Sequence, residues 1–92
     1  MPEEIYYLRL FITGGTPRSL KAVAIVTSIC EKLLPRRYDL EVIDIYQQPI
    51  LAKREDILAA PTLVKRAPQP AQRIVGDLSD RGRLLRALNL AE

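Results

Sequence analysis

Few side chains in this sequence could do chemistry on a substrate. Cysteine occurs once, as Cys30, and histidine is absent from the 92 residues. A single thiol excludes an intrachain disulfide, and the lack of histidine excludes zinc sites of the Cys/His type. Acid–base catalysis by histidine is excluded for the same reason. The sequence therefore predicts no catalytic residue, no metal site and no cofactor.

A second candidate for chemistry is the run Gly14-Gly15-Thr16-Pro17. A glycine-rich loop can bring backbone N–H groups close to a phosphate, but this run lacks the lysine and the length of such a loop. Two glycines also allow a tight turn, after which Thr16 can cap a helix and Pro17 suits its first position. We therefore interpret the run as a strand-to-helix turn.

The charged residues favour binding over catalysis. The formal net charge is +3; residues 65–92 carry six basic and three acidic side chains, and residues 1–64 carry eight of each. This charge is weak for nucleic acid, which usually needs a dense basic stripe, and it suits an acidic protein surface better. Charges on sheet edges can also simply prevent edge-to-edge pairing. The four residues that could build a basic docking face are Arg9, Lys21, Lys65 and Arg73.

The elements that must position these residues begin with a strand, a helix and a strand. Residues 5–12 are rich in β-branched and aromatic residues and carry one charge, which predicts a central strand. A helix follows to about residue 34 and ends before Pro35. Its apolar face is predicted at Leu20, Val23, Val26 or Thr27, Cys30, and Leu33 or Leu34. Residues 38–46 predict a second strand, which the helical crossover makes parallel to the first.

The second half of the chain has shorter elements. Residues 51–60 predict a short helix, and Pro61 stands at the mouth of a third strand. Residues 73–77 predict a fourth strand that ends in a glycine turn. The last helix is capped by Asp77, Ser79 or Asp80, and its apolar residues are Leu84, Leu85, Leu88 and Leu90.

The resulting order β-α-β-α-β-β-α is that of a thioredoxin-like domain of the α/β class, in which the proline at the third strand is usually cis. A redox enzyme with this fold needs a thiolate at the N-terminus of the first helix, where the helix dipole lowers its pKa. Residues 14–17 offer no thiol there, and Cys30 lies about three turns further along, on or near the buried face. We therefore expect a protein that is not an enzyme.

Length and hydropathy indicate how many domains the chain forms and where in the cell we expect it. The 92 residues allow one domain, residues 1–92. No apolar run approaches the roughly 18 residues that a membrane helix needs, and the acidic N-terminus lacks the layout of a signal peptide. We expect a cytoplasmic protein that binds neither membranes nor nucleic acid.

Five segments taken together carry a family resemblance. They are residues 10–14 followed by Thr16-Pro17-Arg18-Ser19, residues 40–45 (LEVIDI), residues 49–52 (PILA), residues 56–63 (DILAAPTL) and residues 73–79 (RIVGDLS). In this order they resemble the KaiB family of the cyanobacterial circadian oscillator, which has relatives in other bacteria. The resemblance covers about residues 8–90.

The resemblance implies a metamorphic protein with two packings. Residues 1–46 would keep their β-α-β arrangement, and residues 47–92 would switch fold. One packing is a β-α-β-β-α-α-β form that assembles as a dimer or tetramer, and the other is the thioredoxin-like monomer. Pro61, Pro68 and Pro70 would occupy the proline positions of the switch region, with Gln69 where the family often has a third consecutive proline. Slow X-Pro isomerisation would contribute to the switch, whereas the simpler interpretation of these prolines is a rigid loop.

The resemblance also implies partners. The thioredoxin-like form would bind the N-terminal ATPase ring of a KaiC-type hexamer, modulate its phosphorylation and output cycle, and help to sequester KaiA. A clock-output histidine kinase, whose N-terminal domain has this fold, would compete for the ring. Carried onto matching positions, the contacts with KaiC would come from Arg9, Lys21, Arg54, Ile57, Lys65 and Arg73.

Two residues of the last helix depart from the family pattern. Ala87 stands where glycine is common, and Asn89 stands where aspartate is common. Alanine is favoured over glycine inside a helix by about 1 kcal/mol, and loss of a negative charge near the helix end removes a penalty of roughly several tenths of a kcal/mol. Because two packings of one sequence differ by only a few kcal/mol, we predict that this chain favours the thioredoxin-like state more than clock-type relatives do.

Three functions therefore compete. The first is a binding protein for a KaiC-type ATPase, in a circadian oscillator or in a simpler timer or stress pathway without KaiA. The second is a free-standing sensor module similar to the N-terminal domain of the clock-associated kinase. The third, a redox enzyme, is disfavoured by the missing thiol.

Overall fold

The computed structural model describes residues 4–91 and confirms the predicted order of elements. The strands are β1 (Tyr6–Ile12), β2 (Tyr38–Asp44), β3 (Thr62–Ala67) and β4 (Gln72–Val75). The helices are α1 (Pro17–Leu33), α2 (Pro49–Arg54) and α3 (Arg81–Leu88). In the part of the chain that is described, no helix has the length and apolar character needed to cross a membrane.

One sheet contains all four of these strands, in the order β2-β1-β3-β4. β1 pairs with β2 in parallel, as the crossover through α1 predicts. In this pairing Tyr6 is opposite Tyr38. β3 lies antiparallel to both β1 and β4. Because side chains alternate along a strand, Leu10 and Phe11 of β1 belong to different apolar clusters on the two faces of the sheet.

The larger cluster lies under α1 and α3. It contains Leu8 and Leu10 of β1, Val26 and Ile29 of α1, and Leu84 and Leu88 of α3, all buried. The smaller cluster lies on the other face, where buried Phe11, Ile43 and Val64 contact the half-buried Leu51 and Ile57. The segment around α2 is therefore fastened to the sheet by much less apolar surface than α1 or α3.

Helix α1 begins as the sequence predicts. The Thr16 side chain accepts a hydrogen bond from the Ser19 N–H, and Pro17 lies in the first turn. The predicted apolar face is wrong at Leu20, which is exposed, whereas Ser19 is buried. A serine can face the sheet here because its hydroxyl oxygen accepts a 3.0 Å bond from the Thr13 N–H.

Helix α2 is shorter than the predicted helix over residues 51–60. It ends at Arg54 because Asp56 adopts a left-handed conformation with φ of 54°. The Asp56 N–H donates to the Lys53 carbonyl and the Ile57 N–H to the Ala52 carbonyl, which is the Schellman pattern of a helix end. Glycine usually occupies the left-handed position at such an end. Because Asp56 occupies it here, the sequence carries no signal for the end of α2. Ile57 therefore lies in the turn after α2.

Helix α3 has well-defined ends. Of the three candidate caps, it is Asp80 whose side chain accepts a bond from the Arg83 N–H. Asn89 follows the helix with φ of 59°, and the Leu90 N–H reaches back to the Leu85 carbonyl, so Leu90 lies outside the helix. The Tyr6 hydroxyl donates to the Leu88 carbonyl at 3.1 Å, which ties β1 to the end of α3.

Three peptide bonds that precede prolines are cis, at Pro61, Pro68 and Pro70. The cis bond at Pro61 agrees with the expectation from the thioredoxin-like order of elements. Pro68 and Pro70 lie in the connection between β3 and β4.

Candidate functional site

The structure brings four of the six predicted partner-binding residues together around α2. Arg54 is the last residue of α2, and Ile57 lies in the turn that follows. Arg9 and Arg73 reach the same turn from β1 and β4. Lys21 and Lys65 lie elsewhere, the first at a different cavity and the second buried in the protein.

Arg9 joins β2 to the end of α2. Its Nε donates to Glu41 Oε1 at 3.1 Å and its Nη1 donates to Glu55 Oε1 at 2.7 Å. The Arg9 side chain is 18% exposed, so these charge-assisted bonds are only partly screened by water. Arg66 lies more loosely against the same carboxylate, at 4.0 Å. The guanidinium of Arg9 is therefore committed to contacts within the protein.

The side chain of Arg73 holds the same turn by binding two backbone carbonyls of the turn. Its Nη2 donates to the Glu55 carbonyl at 2.6 Å, and its Nη1 donates to the Asp56 carbonyl at 2.9 Å. Carbonyls at the C-terminal end of a helix lack intrahelical partners and carry partial negative charge. The guanidinium of Arg73 supplies both a hydrogen bond and a positive charge to these groups.

Lys65 is buried, which corrects the expectation of an exposed docking lysine. Its exposed fraction is 2%, and its Nζ lies 5.7 Å from the centroid of the Tyr6 ring. The register of β3 explains this position, because Lys65 is opposite Leu8 and so faces the larger apolar cluster. Lysine is rarely buried, so its residue type alone indicated a surface position. In this packing a partner cannot reach the ammonium group.

Lys21 lies at a separate cavity of about 250 Å³. Arg18, Pro61 and Asp77 also line this cavity. Hydrogen bonds from the Ser79 side chain and backbone lower the pKa of Asp77, and the nearby charges of Arg18 and Lys21 act in the same direction. The cavity therefore holds charges of both signs.

The main exposed apolar surface surrounds α2. Tyr46 is 74% exposed, Ile50 69% and Leu58 97%. Pro49 lies between two shallow grooves, one of which contains Tyr46 and Leu58 and the other Ile50. We call this region the α2 surface; it consists of Tyr46, Pro49, Ile50, Lys53, Arg54 and Leu58.

Exposed apolar side chains beside Lys53 and Arg54 suit a protein partner that presents apolar and acidic groups, although Asp56 also lines one of the two grooves. Sequence analysis missed Tyr46 and Leu58, since it placed the tyrosine at the end of the predicted second strand and the leucine within the predicted helix over residues 51–60. The signal that could have found them is the crowding of large apolar residues on both sides of Pro49, in a segment too short to bury them all.

The thiol has no catalytic geometry. Cys30 is fully buried on α1, and desolvation by this burial, followed by the charge of Glu31, raises the pKa of its thiol to about 11. A protonated, enclosed thiol is a poor nucleophile. The turn before α1 holds a cluster of hydroxyls instead, with Thr13 Oγ1 lying 3.3 Å from Ser19 Oγ. Among residues 4–91, no group of three acidic or cysteine side chains could hold a metal ion.

Comparison with known proteins extends over nearly the whole chain. A family model described as the KaiB domain matches residues 9–90. The chain is 46% identical over 89 residues to the circadian clock oscillator protein KaiB of Synechococcus sp. (strain RCC307), covering 97% of this chain and 81% of that protein.

Solved structures agree on the fold. The N-terminal domain of SasA from Synechococcus elongatus is similar over 100% of this chain and 90% of its own, with a TM-score of 0.75 and 28% identity. The germline-specific thioredoxin Deadhead from Drosophila melanogaster covers 95% of this chain, with 81% of its own length matched, a TM-score of 0.76 and 16% identity. The second likeness concerns the fold alone, and together they confirm a thioredoxin-like α/β fold.

Proposed function

The chain belongs to the KaiB family, and we propose that it is a non-enzymatic clock-type regulator that binds a KaiC-type ATPase hexamer through the α2 surface. The observation that carries this proposal is the exposure of Tyr46, Ile50 and Leu58 beside two basic residues. Large apolar side chains are seldom left together on the surface of a small protein unless a partner covers them. Arg54 contributes charge at the border, and Ile57 supports the surface from below.

The proposal is tested by binding to a KaiC-type hexamer from the same organism. We expect the wild-type chain to co-elute with the hexamer during gel filtration in the presence of ATP. The variant Leu58→Ser should bind at least roughly tenfold more weakly, as for an anchor residue at the centre of an interface. The matched control is Leu20→Ser, which alters an exposed leucine on α1 and should leave binding unchanged.

A second pair of variants examines the basic border. Arg54→Glu should weaken binding, whereas Arg86→Glu, the same change at an exposed position of α3, should not. No association of the wild-type chain with the hexamer would remove the proposed function. Equal effects of Leu58→Ser and Leu20→Ser would instead remove α2 as the binding surface.

A second candidate function is a free-standing sensor or interaction module in a stress pathway that does not keep circadian time. The likeness to the N-terminal domain of SasA supports the module part of this candidate, because that structure shows the same fold as one domain of a different protein. Deleting the gene separates the two functions. A clock regulator predicts altered daily rhythms of gene expression, and a stress module predicts reduced survival under stress with unchanged rhythms.

A further inference from the structure

We propose that Arg9 and Arg73 are positioning residues, which act on partner binding by holding α2 in place rather than by touching the partner. This inference rests on the proposed function of the α2 surface. Sequence analysis placed both arginines in the docking face, since a basic residue on a strand suits an acidic partner. The hydrogen bonds show a different use, because both guanidiniums are directed at the turn formed by Glu55 and Asp56.

The apolar contacts of α2 are too few to fix its position alone. The helix has six residues, of which only Ala52 is buried. Isolated helices shorter than about 12 residues are marginal in water, so α2 depends on its surroundings for its structure. Its apolar attachment consists of Leu51 in the helix and Ile57 in the following turn, both only half-buried, which contact the three buried residues of the smaller cluster.

The two arginines supply the missing attachment at the C-terminal end of α2. Arg73 donates to two adjacent backbone carbonyls, which fixes the direction of the turn as well as its distance from β4. Arg9 donates to the Glu55 side chain from β1, and Glu41 on β2 holds the other edge of the same guanidinium. We call these three contributors, Arg9, Glu55 and Arg73, the α2 clamp. They fix the end of α2 from two strands of the sheet.

The α2 clamp has a direct consequence for the exposed apolar residues. Ile50 lies in the first turn of α2, and Leu58 follows the clamped turn by two residues. Leu58 is almost completely exposed, so no burial of its own side chain holds it in place. Its position relative to Ile50 depends on the geometry of residues 55–57, of which the arginines bind Glu55 and Asp56.

A substitution at Glu55 distinguishes a positioning role of the two arginines from direct contact of their charges with the partner. Glu55→Gln raises the net charge by one, so a purely electrostatic attraction of an acidic partner would become stronger. The α2 clamp predicts the opposite, because the bond from Arg9 Nη1 loses its charged acceptor. The matched control is Glu31→Gln, the same change at an exposed position of α1.

The experiment combines amide exchange in the free protein with binding to the KaiC-type hexamer. Wild type, Arg9→Gln, Glu55→Gln, Arg73→Gln and Glu31→Gln are compared. We expect the Ile57 amide, which donates to the Ala52 carbonyl at 2.9 Å, to exchange roughly tenfold faster in each clamp variant. Amides of α1 should be unaffected. Binding in the presence of ATP should weaken about tenfold in the same three variants, and Glu31→Gln should match wild type in both measurements.

The double variant Arg9→Gln/Glu55→Gln isolates the pair. Its effects should be no larger than those of Arg9→Gln alone, because that change already removes the donor of the bond to Glu55. Unchanged Ile57 exchange in all three variants would overturn the α2 clamp. Faster exchange with undiminished binding would overturn its role in partner binding. If the wild-type chain binds no hexamer, the proposed function fails, and the exchange data on the free protein still decide whether the α2 clamp exists.

Discussion

The stability of the C-terminal end of α3 depends on Ala87 and Asn89. Ala87 lies in the last turn of the helix, half-buried against the larger apolar cluster, and Asn89 follows in a left-handed conformation. We predict that Ala87→Gly and Asn89→Asp, which introduce the residues that the family resemblance implies at these positions, together lower the free energy of unfolding of this packing by about 2 kcal/mol.

The magnitude follows from three contributions. Glycine at Ala87 costs about 1 kcal/mol in helix propensity. Loss of a half-buried methyl group adds about 0.4 kcal/mol, half the value for a fully buried carbon. The negative charge of Asn89→Asp lies at the negative end of the helix dipole and adds about 0.3–1 kcal/mol. Aspartate tolerates the left-handed conformation much as asparagine does, so no backbone cost is added.

Urea unfolding followed by circular dichroism measures this loss for each single variant and for the pair. Two further variants at Asn89 separate charge from backbone conformation. Asn89→Ala should cost about 1 kcal/mol, because a Cβ without a polar group disfavours the left-handed region, and Asn89→Gly should cost little. A double variant within about 0.5 kcal/mol of wild type would refute the calculation.

NMR secondary shifts test the state of the wild-type chain directly. The thioredoxin-like packing predicts helical shifts over residues 81–88 and a left-handed signature at Asn89. If the chain exchanges between two packings, the double variant should lower the population of the thioredoxin-like packing relative to the other roughly thirtyfold. This factor follows from the loss of about 2 kcal/mol, since about 1.4 kcal/mol corresponds to a factor of ten. Strand-like shifts over residues 87–90 of the wild-type chain would defeat the prediction that it favours the thioredoxin-like state.

Two buried groups give the remaining predictions. Lys65→Met should keep or raise the free energy of unfolding in urea, because a thioether avoids the desolvation cost of a buried ammonium group. A loss above about 1 kcal/mol would show that the contact of Lys65 with Tyr6 dominates. For Cys30, the folded-state pKa of about 11 exceeds the ordinary 9.0, so its neutral form contributes stability below pH 9 that is lost as pH rises toward 11. Unfolding measured at pH 8 and pH 10 should therefore show a smaller alkaline loss in Cys30→Ala than in wild type, and equal losses would contradict the burial effect.

Local sequence signals predicted the elements that carry the larger core. Thr16 and Pro17 located the start of α1, and Pro35 located its end, because capping and steric exclusion act within a few residues. The end of α2 and the position of Leu90 were predicted wrongly. Both errors have one cause, since Asp56 and Asn89 adopt the left-handed conformation for which only glycine gives a strong signal in sequence.

The surroundings of the charged residues could not be predicted from residue type. Whether Lys65 is exposed depends on which face of β3 packs under the helices, and strand register decides that. Arg9 and Arg73 lie far apart in sequence from Glu55, and only the antiparallel pairing of β3 with β1 and β4 brings them to it. Their residue type indicated a charged surface, whereas the geometry of their hydrogen bonds indicates what they bind.

The three helices of this fold differ in how they are attached, and the difference bears on function. α1 and α3 bury apolar side chains against the larger cluster, so removing either exposes core residues to water. α2 buries one residue and depends on charged bonds from Arg9 and Arg73. Segments with few buried apolar contacts open at lower free energy than the core, and binding segments are commonly of this kind. We therefore expect α2, which carries four of the six residues of the α2 surface, to open at a lower free energy than α1 or α3. Changes at Glu55 should alter partner binding well before they alter global stability.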